Sequence, residues 1–389
     1  MPLRWEFPDP REEAARTRVR SRIDAWWGEF ERRSEDIKTL FRDAGRWNLV
    51  DWMRERLGAV NRHLMWEYGP GLDGGHRLVI TPEIHRELRP LTREILRRAP
   101  VLPGWDFLPY RPPEPAEDAI RTVQGRVGVD VQHATVRAQP APGNVIHLAF
   151  YVPPSEGTQK DLDAGAFIAT ESFLGEEMLD KWIGGIAVSK EPIPGVPIGT
   201  IRSHMEGILD RVRGAMPTRP LWEASLEDEW TVIERNPDEA IDYPGTDDIF
   251  MAKTAFRGFW QDAHGGSTFY SCRHSCHGET FVYLKIENPP GPVLDRVQGR
   301  NRIEDALDSA LRRNRLGALV GGATGIRYSY VDLAVGNVTA AVPLIRDALK
   351  PFSLPVRSWL CFFDADLAQE WIGVFDDAPP PPGMSSLEG

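Results

Sequence analysis

Thr280-Phe281-Val282-Tyr283-Leu284-Lys285-Ile286 opens the stretch of chain whose reading decides the fold. The run is aromatic and β-branched enough to be a strand. The apolar residues that follow, Ile303, Ala306, Leu307, Ala310 and Leu311, recur at helical spacing. Gly317-Ala318-Leu319-Val320 then reads as a short strand, Gly321-Gly322-Ala323-Thr324-Gly325 as a turn, and Ile326 to Val335 as an alternating strand. Asn337 is placed to cap a helix with Val342, Ile345 and Leu349 inward, and Val356 to Phe363 forms a last strand. Strand, helix, strand, strand, helix, strand (βαββαβ) is the ferredoxin-like order. Residues 230–270 add strands and one helix at its edge.

Working back toward the N-terminus, residues 11–34 place Ile23, Trp26, Trp27 and Phe30 on one face of an amphipathic helix, and a second helix follows near 49–58. His63 to Tyr68 and His76 to Ile80 are strand-like and are joined by the glycine-rich turn 69–75, a hairpin. Thr81 is placed to cap a helix whose apolar face is Leu88, Leu91, Ile95 and Leu96. A strand from Trp105, a helix from Pro115 to Gln124, strands near 135 and 145–152, and a helix from about 166 to 182 complete the alternation. The expected fold class is α+β, with two domains of mainly antiparallel sheets covered by helices, the C-terminal one ferredoxin-like. The expected boundaries are an N-terminal helical segment at 1–58, an α+β domain at 59–190, a linker with a helix at 191–222, a ferredoxin-like domain at 223–376 and a disordered tail at 377–389.

The run Ala99-Pro100-Val101-Leu102-Pro103-Gly104-Trp105-Asp106-Phe107, with Gly184-Gly185-Ile186 further on, resembles a phrase in a family of uncharacterised bacterial proteins. The resemblance spans roughly residues 60–190. It implies a relationship of fold and carries no activity or catalytic residue with it. Residues 280–364 are similar in topology to the small ferredoxin-like regulatory modules of bacteria, a fold that hosts many unrelated functions.

The chain has 389 residues, 41% of them hydrophobic and 26% charged, which is the profile of a globular protein with two or three cores. No run reaches the roughly 18 apolar residues of a membrane span, and the first residues are charged where a secretory signal is apolar, so no membrane and a cytoplasmic location are expected. A net charge of -11 repels phosphate backbones on average and argues against a nucleic-acid partner. Three cysteines are too few for a disulfide framework.

The most chemical stretch is Ser271-Cys272-Arg273-His274-Ser275-Cys276-His277. Thiolates and imidazoles are the ligands zinc prefers, which makes Cys272, His274, Cys276 and His277 the candidate metal ligands. On a strand the first three share one face and His277 lies opposite, so half-buried structural residues are the plainer reading and no cofactor the plainer expectation, with zinc as the alternative. A thiol beside an imidazole also allows a nucleophilic pair. The glycine run 317–325 lacks the lysine and hydroxyl of a phosphate loop and reads as a hairpin turn. Tyr328 and Tyr330 read as sheet core or as a binding face. Glu176-Glu177, Asp247-Asp248 and the pair Asp364 and Asp366 read as a solvated helix face, a turn and a strand end.

The reading that follows is a non-enzymatic binding or regulatory protein whose partner is another protein or a small ligand. The alternatives are a hydrolase or zinc protein using the Cys272 to His277 cluster, and a component of an assembly docked through Trp26 and Trp27 of the first helix.

Overall fold

The structure is a computed structural model and describes residues 3–40, 48–153, 158–224, 230–266 and 268–384. The chain divides into two compact units, Pro2–Pro112 and Pro113–Gly389. The fold class is α+β in more than one domain, as the periodicities indicate. No helix among the described residues is long and apolar enough to cross a membrane.

The Pro2–Pro112 unit contains α1 (Glu13–Leu40), α2 (Leu49–Arg56), β1 (Met65–Pro70), β2 (His76–Thr81), α3 (Arg89–Arg97) and β3 (Trp105–Leu108). β1 and β2 form the expected hairpin, Met65 opposite Thr81, and β3 adds in parallel to β2. The apolar stripe of α1 closes over this sheet: Ile23, Trp26, Trp27 and Phe30 share one core with Leu78, Ile80, Ile95 and Trp105. Thr81 does not cap a helix. Its Oγ1 accepts the N–H of Glu83 at 3.0 Å, and a single 3-10 turn, Arg86–Leu88, intervenes before α3.

In the Pro113–Gly389 unit the first elements are α4 (Ala116–Val127), β4 (Thr135–Pro140), β5 (Ile146–Tyr151), α5 (Gln159–Leu174), α6 (Glu176–Trp182), β6 (Ile183–Ser189), β7 (Val196–Pro197) and α7 (Ile201–Gly214). The expected helix over 166–182 starts earlier, at a capping box of Thr158 and Asp161, and breaks at Gly175, whose φ of +84° no helix interior adopts. The strands form a sheet in the order β6-β5-β4-β7, with β5 and β6 parallel.

These elements correct the expected domain plan. Residues 59–190 are not one domain, because 59–112 share a core with α1 while 113–190 build a separate core around Val136, Leu148, Phe150 and Phe173. The segment 191–222 is not a linker, since Ile201, Met205, Ile208 and Leu209 of α7 are buried in that second core.

The chain continues through β8 (Thr231–Glu234), β9 (Ile249–Thr254), α8 (Arg257–His264), β10 (Thr280–Glu287), α9 (Val293–Arg313), β11 (Gly317–Gly325), β12 (Tyr328–Val335), α10 (Val338–Leu349), β13 (Ser358–Phe362) and β14 (Trp371–Gly373). The strand order is β14-β13-β10-β12-β11-β9-β8, and every pairing is antiparallel. The run from β10 to β13 has the βαββαβ order read from the sequence, extended by β14 on one edge and by β9 and β8 on the other. Lys285 on β10 lies opposite Tyr330 on one side and Trp359 on the other. Because side chains alternate, Tyr283, Lys285, Tyr328 and Tyr330 share one face, and Ile286 and Ser329 lie on the face toward α9.

The tail is a second correction. Residues 377–384 pack onto the aromatic face of this sheet: Ala378 is fully buried, and the indole N–H of Trp359 donates to the carbonyl of Pro379. Residues 385–389 of the expected tail lie outside the described residues.

Candidate functional site

The cysteine and histidine stretch is not a strand. A single 3-10 turn, Ser271–Arg273, takes its place, and the regular alternation that would put three ligands on one face is lost. His274 turns inward, its Nε2 2.8 Å from Asp262 Oδ2 and its ring stacked on Phe269. Arg273 reaches the same carboxylate at 2.9 Å. Cys276 is exposed, with Sγ 3.3 Å from Met216 Sδ, and His277 Nε2 lies 3.1 Å from the carbonyl oxygen of Pro217. Among the described residues no group of three or more His, Cys, Asp or Glu side chains is placed to hold a metal. Cys272, His274, Cys276 and His277 therefore do not form the tetrahedral site their types suggested.

The nucleophile reading meets the same obstacle. Cys272 lies at the exposed surface, desolvation nonetheless raises its thiol to about 11, and the buried imidazole of His274 is engaged by Asp262. Ser271 donates its hydroxyl to Asp364, whose carboxyl burial raises to about 7. Asp247-Asp248 lies in a turn and Asp364 follows the end of β13, as read from the sequence, whereas on the helix face expected to be solvated Glu177 is exposed and Glu176 is buried.

Trp26 and Trp27 are also claimed by the interior. They are 2% and 3% exposed, and the Trp27 indole N–H donates to the carbonyl of Ile95 at 2.8 Å. An exposed docking face on α1 needs these rings outside, and they are the centre of the core. The correction has a plain cause: a wide apolar stripe on a helix is buried by the nearest sheet of its own unit.

On the large sheet, the aromatic face is a polar network closed by the chain itself. Lys285 is buried and donates from Nζ to the carbonyls of Tyr243 and Gly245 at 2.6 and 2.8 Å, with the ring of Tyr328 4.2 Å away. Desolvation lowers its pKa, against the pull of Cys361, Asp248 and Asp242. Asp248 accepts the backbone N–H groups of Arg327 and Tyr328, both at 2.8 Å, and the hydroxyl of Tyr330. Asp242 accepts the Tyr328 hydroxyl at 2.6 Å and a guanidinium N–H of Arg357 at 2.8 Å. Burial pushes the Tyr330 hydroxyl well above its usual range and the Cys361 thiol to about 12. Tyr328 and Tyr330 are thus interior residues under the 242–248 segment.

The other face, near the end of β10, holds an open cavity of about 480 Å³. Its shape follows from local sequence. Asn288-Pro289-Pro290-Gly291-Pro292 cannot continue a strand, because its prolines lack N–H donors, and Pro292 leads directly into α9. On the opposite side the proline-flanked loop Pro351 to Pro355 follows α10. The apolar wall includes Ile286, Ile303, Phe352 and Leu354.

The polar groups of the cavity differ in how far they are committed. Ser329 donates to Asn288 Oδ1 at 2.6 Å. Arg300 donates to Thr324 Oγ1 at 2.6 Å and pairs with Glu304 at 2.9 Å. Arg296 donates one N–H to the carbonyl of Ile326 at 3.1 Å, while its Nε is buried without a hydrogen-bond partner among the described residues. Asn288 and Arg296 also line a neighbouring cavity of about 400 Å³.

No candidate residue chosen from the sequence lines this cavity. The available signal was the Asn-Pro-Pro-Gly-Pro interruption between a strand and a helix that carries Arg296 and Arg300 one turn apart. Set beside protein-family models, curated proteins and solved structures, the chain gives no match.

Proposed function

We propose that the chain is a binding protein rather than a catalyst, and that a small ligand docks in the cavity between the β10 end, α9 and the loop 351–355. The observation that carries this reading is the cavity itself. Its volume of about 480 Å³ falls within the roughly 300–1,000 Å³ of small-molecule sites, and its lining combines apolar walls with a few convergent polar groups. It is lined by no histidine and no cysteine, and by the single carboxylate of Asp295, so it lacks the acid and base pair that hydrolysis requires. The βαββαβ sheet adds a ferredoxin-like scaffold of the kind used for regulation, and three free thiols fit a reducing, cytoplasmic setting.

Gly299 supplies the test. It lines the cavity, and a Cβ built on it meets nothing within 4 Å, so Gly299→Phe adds a ring at the cavity wall without a clash at its Cβ. Native mass spectrometry of the full chain isolated from its own cells is expected to show a small-molecule adduct on the wild type and none on Gly299→Phe. Bare chains in both cases, or an adduct retained by the variant, overturn the reading.

A further inference from the structure

We infer that the ligand of this cavity is a small organic monoanion, a carboxylate on a short apolar body, recognised by Arg296 and Arg302. The inference rests on the reading of the cavity as a ligand site and assigns that ligand its chemical class.

The argument begins with the charges that line the cavity: Arg296, Arg300, Arg302 and Asp295. Arg300 is spent inside the protein on Glu304 and Thr324, and Glu304 is itself shared with Lys253 at 2.6 Å. Arg302 is exposed and has no ion pair among the described residues. Arg296 keeps a buried N–H without an acceptor. That Nε is closed off from the cavity, so a ligand meets the terminal nitrogens of the guanidinium, of which Nη1 gives one N–H to the carbonyl of Ile326. Two guanidinium groups with no carboxylate partner among the described residues, Arg296 and Arg302, against the single carboxylate of Asp295 leave room for one negative charge and oppose a second. The planar fork of arginine matches a carboxylate.

The body of the ligand follows from the walls. Ile286, Ile303, Phe352 and Leu354 line the cavity, and Val293 and Leu294, 45% and 65% exposed, begin α9 beside it. Such walls give a free inorganic anion no partner, whereas each buried methylene adds roughly fourfold in affinity.

The test is isothermal titration of the full-length chain with sodium hexanoate, compared with butanoate, 1-hexanol, hexylammonium and hexyl phosphate. Hexanoate is expected to bind roughly fifteenfold tighter than butanoate and at least tenfold tighter than 1-hexanol or hexylammonium. Arg296→Met is expected to weaken hexanoate about tenfold or more and to leave 1-hexanol unchanged, which also reports that the variant is folded. Arg302→Gln, at an exposed position, weakens hexanoate by a smaller factor. Equal binding of 1-hexanol, tighter binding of hexyl phosphate, or indifference to Arg296→Met overturns the inference. If 1-hexanol binds as well as hexanoate and Gly299→Phe abolishes both, the cavity remains a ligand site and only the anion is lost. If no probe binds, the reading of the cavity falls with it.

Discussion

Asp332 shows how much one side chain owes to its surroundings. It sits on β12 opposite Tyr283 and Gly321, is 2% exposed, and its Oδ2 has no hydrogen-bond partner among the described residues. Burial raises its carboxyl to about 7, the Glu304 carboxylate adds to the rise and Arg300 opposes it. The unfolded chain releases this proton near pH 4. Between there and about 7 the folded protein binds more protons than the unfolded one, so stability falls as pH rises. The loss amounts to at most about 4 kcal/mol. Asp364, raised in the same direction, contributes with the same sign. Asp332→Asn removes only the first contribution: its melting temperature relative to wild type should climb from pH 5 to pH 8. An unchanged difference across that range would sink this account. The sequence showed Asp332 as one polar residue in an alternating strand, and nothing local marks it as buried. The same holds for His274, whose partner Asp262 lies on α8.

At the scale of elements, β11 is the instructive case. Gly317 to Val320 reads as strand and Gly321 to Gly325 as turn, yet the strand continues to Gly325, with an irregularity in its pairing between Leu319 and Gly321. The glycines are there because other side chains need the space. A Cβ on Gly321 would press on the Asp332 carboxylate, one on Gly322 on Glu304, and one on Gly325 on Asp248. Gly322→Ala therefore drives a methyl group against the carboxylate that holds Lys253 and Arg300. Urea denaturation should show a loss of about 1–3 kcal/mol. Gly299→Ala on α9, where a Cβ meets open space, should be neutral or stabilise by up to about 1 kcal/mol. Equal effects of the two substitutions would refute the crowding argument. By contrast α1, α7, α9 and α10 were legible, because a helix advertises its buried face at a fixed period within its own sequence.

For the whole molecule the consequence is separable cores. The apolar residues of Pro2–Pro112 cluster with one another around Trp26, Trp27 and Trp105, and those of Pro113–Gly389 form cores of their own. A chain beginning at Pro113 is expected to unfold cooperatively, with its β10 to β13 sheet intact by circular dichroism, and to reproduce one transition of the full-length protein in calorimetry. A molten fragment would show that the division is only geometric. By itself the sequence determined the α+β class, the helices with their apolar stripes, the β1–β2 hairpin and the βαββαβ order, because each depends on periods and turn residues that lie together in the chain. Only the tertiary structure decided that residues 377–384 are packed on the sheet, that 59–112 belong with α1, that the four metal-ligand candidates do not gather into a metal-holding group, and that Arg296 lines a cavity walled on one side by a loop beyond α10. Each of these turns on which distant side chains fill the same space. That is settled by packing between elements and leaves no period in the sequence.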